Sequence, residues 1–404
     1  MSAMAARASA LLLVLGALVL GACADDDDAT TTVVGPGTTT TATTSSAGDS
    51  RQLAAEAGGG AFDARAIYER AAPGVVTVIS YLDGSTPSVF GGGGGEGQGS
   101  GFVISDDGEI MTNAHVVTDA ATTGRQTAPL HEAKQIFVQF ADQNQVEAEI
   151  VGFDPFADVA LLKVEPDGLD LHPLTLGSEK DVAVGEPVAA IGSPFGQNQS
   201  LSVGVVSATD RSIQSLTDFQ IDGALQTDAS INPGNSGGPL LDSDGHVIGI
   251  DQQINSTSGG NEGVGFAVPI DLAERAVNQL RDHGDVSYAY AGVTTEPLYP
   301  QLADRLDIDA ETGAIVTQVV DGGPADEAGL RGSDSTISFQ GRNIRVGGDV
   351  ITAVNGEPLV SNSDLPRIIS LLDPGDVVTL DIVRDGDEQQ IDIELGERPD
   401  QVQR

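Results

Sequence analysis

The chain has 404 residues, 40% hydrophobic and 4% aromatic, with no Trp. That length gives room for two or three domains with cores built on Val, Ile, Leu and Ala. A formal net charge of −41 argues against a nucleic-acid-binding protein, which needs a basic face, and against docking on anionic lipid through charge.

Arg7 precedes an apolar run from Ala10 to Leu20, followed by Gly21-Ala22-Cys23. A charged start, a short hydrophobic core and small residues at the cleavage site form a secretory signal over 1–22. The run is short for a transmembrane helix. Leu20-Gly21-Ala22-Cys23 resembles the bacterial lipobox, in which Cys23 becomes the lipidated N-terminus of an exported, membrane-anchored protein on the outer face of the cell membrane. A plain signal peptide and an uncleaved anchor are the alternatives. Cys23 is the only cysteine, so no intramolecular disulfide is expected and the cores must carry stability. Residues 23–61, with an acidic run at Asp25 to Asp28 and a Thr-, Gly- and Ser-rich stretch, hold too few apolar groups for a core and are expected to be a disordered linker.

Phe62 to Ala72 is expected to be a short helix with Phe62, Ile67 and Tyr68 inward, closed by Pro73. Short strands follow at 75–81, 101–105, 109–112, 135–140, 146–153, 161–164, 187–191, 201–208, 224–227, 239–241 and 246–250. Asp106-Asp107-Gly108 is a hairpin turn signal, and the glycine run Gly91 to Gly95 a mobile loop. This spacing, with Gly and Pro turns, predicts β-barrels over 62–285. Residues 271–282 carry an apolar helical stripe of Leu272, Ala276, Val277 and Leu280. A second unit spans 286–397, leaving 398–404 as a tail. It has strands at 313–320 and 348–354, a short helix at Pro324 to Gly329, a helix at 364–372 with Ser363 as N-cap, and a hairpin of 377–383 with 390–394.

The chemistry concentrates at Asn232-Pro233-Gly234-Asn235-Ser236-Gly237-Gly238-Pro239. A serine hydroxyl is a poor nucleophile at neutral pH and needs a nearby base fixed by a third group. His115, in Thr112-Asn113-Ala114-His115-Val116-Val117, and Asp158, entering the apolar run Val159 to Leu162, precede Ser236 in the order that a chymotrypsin-type hydrolase requires. Asp154 competes for the third role. Asp154-Pro155 is a turn, whereas a carboxylate entering an apolar strand is costly unless paired, which favours Asp158. The glycines permit a tight turn that aims the N–H groups of Gly234 and Ser236 at one point, as an oxyanion hole. A glycine-rich turn with an incidental serine is the bland alternative. His131, His172, His246 and His283 show no metal-ligand spacing, and no metal or cofactor is expected. Thr112 and Asn113 are expected to fix backbone.

Several segments resemble the HtrA (high-temperature-requirement A) serine proteases: Gly99-Ser100-Gly101-Phe102, Thr112 to Val117, Asp158 to Val164, Gln226 to Ala229, Gly234 to Gly238 and Gly263 to Pro269. Tyr290-Ala291-Gly292-Val293, Gly323-Pro324-Ala325 with Ala328 to Leu330, and Gly348 to Ile351 resemble that family's PDZ domain. The likeness covers roughly residues 65 to 396. It implies a mainly β protein, with a chymotrypsin-like double β-barrel protease domain followed by one PDZ domain. It also implies an ATP-independent endopeptidase cleaving unfolded or damaged exported proteins, with His115 as general base, Asp158 as its orienter and Ser236 as nucleophile. Residues 229–234 would shape the oxyanion hole, and 251–262 would help wall the primary specificity pocket. Tyr290, Ala291, Gly292 and Val293 would receive a peptide C-terminus, beside the helix at 364–372. A homotrimer through the helix at Phe62 to Tyr68 is implied. Departures are the lipobox, the single PDZ domain and an apparent insertion at 331–346 that could alter access to the peptide groove. Two other readings stay open: a PDZ-mediated chaperone or binding protein with little or regulated proteolysis, and a signalling protease with one substrate.

Overall fold

Side-chain alternation along the strands decides the architecture. In the computed structural model of the chain the described residues are 31–35, 38–42, 62–82, 95–120, 130–193, 199–232, 234–252 and 263–399. Residues 1–59 and 60–404 form two separate units. In the first unit, inside the expected linker, β1 (Thr31–Gly35) pairs antiparallel with β2 (Thr38–Ala42). β-branched threonine favours extended backbone, and Pro36-Gly37 lies between the strands in sequence. The expected signal segment, Cys23 and most of 91–95 lie outside the described residues.

In the second unit, α1 (Ala64–Ala71) is capped by Asp63, whose carboxylate accepts from the N–H groups of Arg65 and Ala66 at 3.1 Å each. A closed barrel follows. Its strands are β3 (Val75–Tyr81), β4 (Glu96–Val103), β5 (Glu109–Thr112), β6 (Gln135–Gln139), β7 (Gln145–Asp154) and β8 (Val159–Lys163), and one turn of helix, α2 (Ala114–Val117), follows β5. The second closed barrel comprises β9 (Pro187–Gly192), β10 (Ser200–Gln214), β11 (Gln220–Thr227), β12 (Pro239–Leu241), β13 (Val247–Gln252) and β14 (Gly265–Pro269). β14 was not expected as a strand: glycine has weak strand propensity, yet it closes the barrel between β11 and β13.

Val76, Val78, Val103, Ile110 and Leu162 fill the first barrel. Their neighbours Val75, Phe102, Met111 and Leu161 point the other way, into a core shared with Ala189, Ile191 and Leu241 of the second barrel. Period two thus supplies one interior and one inter-barrel face from the same strands. α3 (Ile270–His283) lays Leu272, Ala276, Val277 and Leu280 on that shared core, and Gly284 ends it at φ +77°. Burying each Leu or Val there contributes about 1.5–3 kcal/mol.

The last domain has β15 (Ala289–Tyr290), β16 (Val293–Leu298), α4 (Pro300–Leu306), β17 (Gly313–Val319), α5 (Pro324–Glu327), β18 (Ser335–Phe339), β19 (Arg342–Val346), β20 (Val350–Val354), β21 (Glu357–Pro358), α6 (Asp364–Ser370), β22 (Val377–Arg384), β23 (Asp387–Glu394) and β24 (Gly396–Glu397). The main sheet runs β16-β17-β20-β22-β23, so β16 is an edge. Ser363 occupies the N-cap of α6, but its hydroxyl donates to the Asp210 carbonyl, while Asp364 accepts from the N–H groups of Val360 and Ser361. The apparent insertion at 331–346 forms the β18–β19 hairpin. It packs Ile337, Phe339 and Ile344 with Leu298 and Leu302, and none of these lines the cavity described below.

Candidate active site

Ser100 of β4 organises the turn that carries Ser236. Its N–H donates to the Ser236 carbonyl at 2.8 Å, and its hydroxyl donates to the Gly234 carbonyl at 2.6 Å while accepting from Ser193 N–H at 2.8 Å. Thr112 donates its hydroxyl to the Ser100 carbonyl at 2.6 Å. Two glycines are required here by space, and Gly237 by backbone as well. At Gly237 (φ +86°) a Cβ would lie 2.2 Å from the Ser100 carbonyl, and at Gly99 one would lie 3.0 Å from the Ser236 carbonyl and 2.7 Å from Val116. The serine turn and the helix carrying His115 therefore converge on β4. Gly234 adopts φ +99°.

His115 is gripped at two points. Its Nδ1 lies 2.7 Å from Asp158 Oδ2, and its main-chain N–H donates to Asp158 Oδ1 at 2.9 Å. Asp158 is 0% exposed and holds a left-handed φ of +56°, uncommon outside glycine. Asn113 fixes that backbone by donating Nδ2–H to the Asp158 carbonyl at 2.8 Å, and Gln252 Nε2 from the second barrel donates to Asp158 Oδ2 at 2.7 Å. Burial disfavours the His115 imidazolium, but the charge and hydrogen bond of Asp158 outweigh it, and the pKa rises above the ordinary histidine value.

Asp154 does other work: it accepts from Phe156 N–H at 2.8 Å and from the Tyr288 hydroxyl, and burial pushes its carboxyl up. His131, His172 and His246 pair with nearby Asp119, Asp170 and Asp242. Among the described residues no His, Cys, Asp or Glu cluster could hold a metal, and no helix is long and apolar enough to cross a membrane.

A cavity of about 210 Å3 opens at Tyr290, Ala291, Gly292 and Val293. The loop Ala291-Gly292, with Gly292 at φ +75°, leads into edge strand β16, and Leu365 and Ile369 of α6 form the facing wall. Phe156 and Phe219 of the barrels and Arg398 also line it. The Arg398 guanidinium lies 3.6 Å from the Phe156 ring centre, 4.3 Å from that of Tyr288 and 4.6 Å from that of Phe219. Burial lowers its pKa to about 10 against the opposing pull of Tyr288 and Asp154. Sequence reasoning did not assign Ser100, Gln252 or Arg398. Ser100 and Gln252 lie inside segments already singled out, though not for these contacts, and nothing in local spacing marks Arg398.

Residues 99–250 match the trypsin-like peptidase domain model, and 289–395 match the PDZ domain model. A probable periplasmic serine endoprotease, DegP-like, of Pseudomonas putida is 41% identical over 302 residues, 75% of this chain and 56% of the relative. A protein of the same description from Halomonas elongata is 42% identical over 302 residues, 75% of this chain and 57% of the relative. The chain thus spans little more than half the length of these curated relatives. The solved structure of the HtrA-type protease AlgW with tripeptide is 32% identical, covering 83% of this chain and 98% of that one, with a TM-score of 0.64. The serine endoprotease from Yersinia pestis is 30% identical, covering 83% and 98%, with a TM-score of 0.54. Two barrels meeting at a His–Asp pair and a glycine-bounded serine, a PDZ domain following them and this degree of likeness place the chain in the HtrA-type serine protease family.

Proposed function

We propose that this chain is an ATP-independent serine endopeptidase that cleaves unfolded or damaged exported proteins. Ser236 attacks the scissile carbonyl and passes its proton to His115. Asp158 holds the imidazole in the tautomer that can accept it, and water then hydrolyses the acyl-enzyme with His115 as base. The amides of Gly234 and Ser236 stabilise the oxyanion. The observation that carries this reading is the two-point attachment of His115 to buried Asp158, beside the strand that ties down the Ser236 turn. The relatives are named endoproteases, which favours proteolysis over a purely chaperone role. Purified protein is expected to degrade unfolded casein and to react with a fluorophosphonate at Ser236. Ser236→Ala should lose both. Equal casein cleavage by this variant would refute the assignment.

The proposal extends to three features. A peptide C-terminus enters the cavity at 290–293, adds a strand to the free edge of β16 and sets its carboxylate near Arg398. Cys23 carries the lipid that anchors the exported protein at the membrane, so Cys23→Ser should release it from the membrane fraction. Copies assemble as a homotrimer through Phe62 to Tyr68, where Phe62 and Tyr68 are only partly covered by the chain's own core. Light scattering checks that state.

A further inference from the structure

Asp251 is fully buried, and neither of its carboxyl oxygens has a hydrogen-bond partner among the described residues. Folded proteins leave few buried polar groups unpaired, and such a group calls for an explanation. Asp251 is bonded directly to the nucleophile turn: its N–H donates to the Gly238 carbonyl at 2.8 Å, and its carbonyl accepts from Gly237 N–H at 2.9 Å. Across the sheet Asp251 stands opposite Ala267, which in turn faces Leu225. Directly opposed residues share a face, and Ala267 and Leu225 belong to the interior of the second barrel. The Asp251 side chain therefore occupies the interior end of that barrel nearest Ser236, beside the segment leading to Gly234. If the Gly234 and Ser236 amides hold the carbonyl that Ser236 attacks, the residue carrying that carbonyl sets its side chain beside this turn, where the Asp251 carboxyl stands unpaired among the described residues.

Two further features define what fits. Ile231 crowds the same face: a Cβ on Gly265, two residues along β14 from Ala267, would meet its Cδ1 at 2.7 Å. The occupant must be short. Burial raises the Asp251 carboxyl well above the usual carboxylate range, so it offers one O–H donor and a free acceptor. We infer that Asp251 is a specificity-determining residue that hydrogen-bonds the side chain on the acyl side of the scissile bond. It selects short hydroxyl-bearing residues, threonine and serine, over apolar residues of the same shape. A valine in that place leaves the carboxyl unpaired, whereas a threonine pairs with it. Sites built around such a bond reject the partner lacking it.

This inference rests on the peptidase reading, and its test separates the two. Matched peptides differing only in Thr or Val before the scissile bond are compared by kcat/KM, with rates referred to reactive serine titrated by a fluorophosphonate. The unmodified protein should prefer Thr by roughly 10-fold or more. Asp251→Asn, which keeps a donor and an acceptor, should retain most of that preference. Asp251→Val should abolish or invert it. The same variant should melt no lower than the parent, because an unpaired buried acid has been replaced by an apolar side chain. If Asp251→Val fails to fold, Asp251→Ala carries the same expectation for the ratio. A reactive serine with equal rates on both peptides, or a Thr:Val ratio unchanged in Asp251→Val, overturns the inference alone. Absence of a reactive serine in the unmodified protein overturns the peptidase reading and this inference with it.

Discussion

Ser100→Ala tests whether the nucleophile turn is held from the opposite barrel. The substitution removes one hydroxyl that donates to the Gly234 carbonyl at 2.6 Å and accepts from Ser193 N–H at 2.8 Å, at a position with 0% exposure. Water cannot replace it without entering a packed seam, so one buried acceptor and one buried donor lose a partner. Leaving such a group unsatisfied costs about 1–3 kcal/mol, and the pair sums to roughly 2–4 kcal/mol when some relaxation is allowed. Part of that loss appears as stability. The rest appears as freedom of the backbone at Gly234, whose own N–H is proposed to point at the oxyanion. Complete loss of such a donor costs on the order of 10²–10³ in turnover, so a loosened one should lower kcat about 10–100-fold. The assay pairs kcat and KM on an unfolded substrate with denaturant unfolding of the same preparation. The expected signature is a fall in kcat with little change in KM, accompanied by a lower unfolding midpoint. A variant with unchanged kcat and unchanged midpoint would show that Ser100 holds nothing the chemistry needs.

The activity should also follow the state of His115. A general base must be neutral, so with its pKa raised by Asp158 the rate should fall as pH drops through a value above that of free imidazole, about 6.5. Gln252→Leu removes the donor to Asp158 Oδ2. It leaves the carboxylate a stronger partner for the imidazolium, moves that acid limb to higher pH and slows turnover, as a pH profile of kcat/KM would reveal. In the PDZ domain, buried Asp349 receives Arg384 in a fork, Nε–Oδ1 2.7 Å and Nη2–Oδ2 2.6 Å, as well as Arg331 N–H at 2.7 Å. Asp349→Leu should destabilise that domain by about 3–5 kcal/mol, because it strands a largely buried guanidinium, and calorimetry should show the effect. Calorimetric titration with free-acid and C-terminally amidated forms of one peptide should show the free acid favoured. Arg398→Gln should erase that preference by about 10-fold, and equal discrimination in the variant would remove Arg398 from carboxylate recognition.

What the sequence disclosed and what it hid follow from different physics. The barrels were legible because period-two alternation is a local property: Val76 and Val78 versus Val75, or Ile110 versus Met111, differ by one residue in register and face different cores. His115, Asp158 and Ser236, proposed as the triad, each carry a local signal: a histidine in Thr-Asn-Ala-His, a charge entering an apolar strand, a serine in a glycine-rich turn. β14 was not legible, since its one glycine serves space rather than propensity: a Cβ at Gly265 would strike Ile231. α4 was also missed, because Pro300 reads as a breaker although proline is well tolerated in the first turn of a helix.

The supports of the site were hidden for a different reason. Ser100, Gln252 and Arg398 act on residues far away in sequence: Gly234, Asp158 and the rings of Phe156, Phe219 and Tyr288. No window of sequence contains both partners of such a contact. Arg398 shows the consequence most plainly. Read locally, it begins a charged tail. In the fold, its main-chain N–H donates to the Tyr288 carbonyl at 2.9 Å and its guanidinium lines the cavity against Phe156, two residues before Asp158. The cavity and the proposed triad thus share one short turn, Asp154 to Asp158. Asp154 is clamped there by Tyr288 and Asp158 holds His115. A side chain that enters the cavity and displaces Phe156 must therefore move, or be resisted by, the backbone that positions the imidazole.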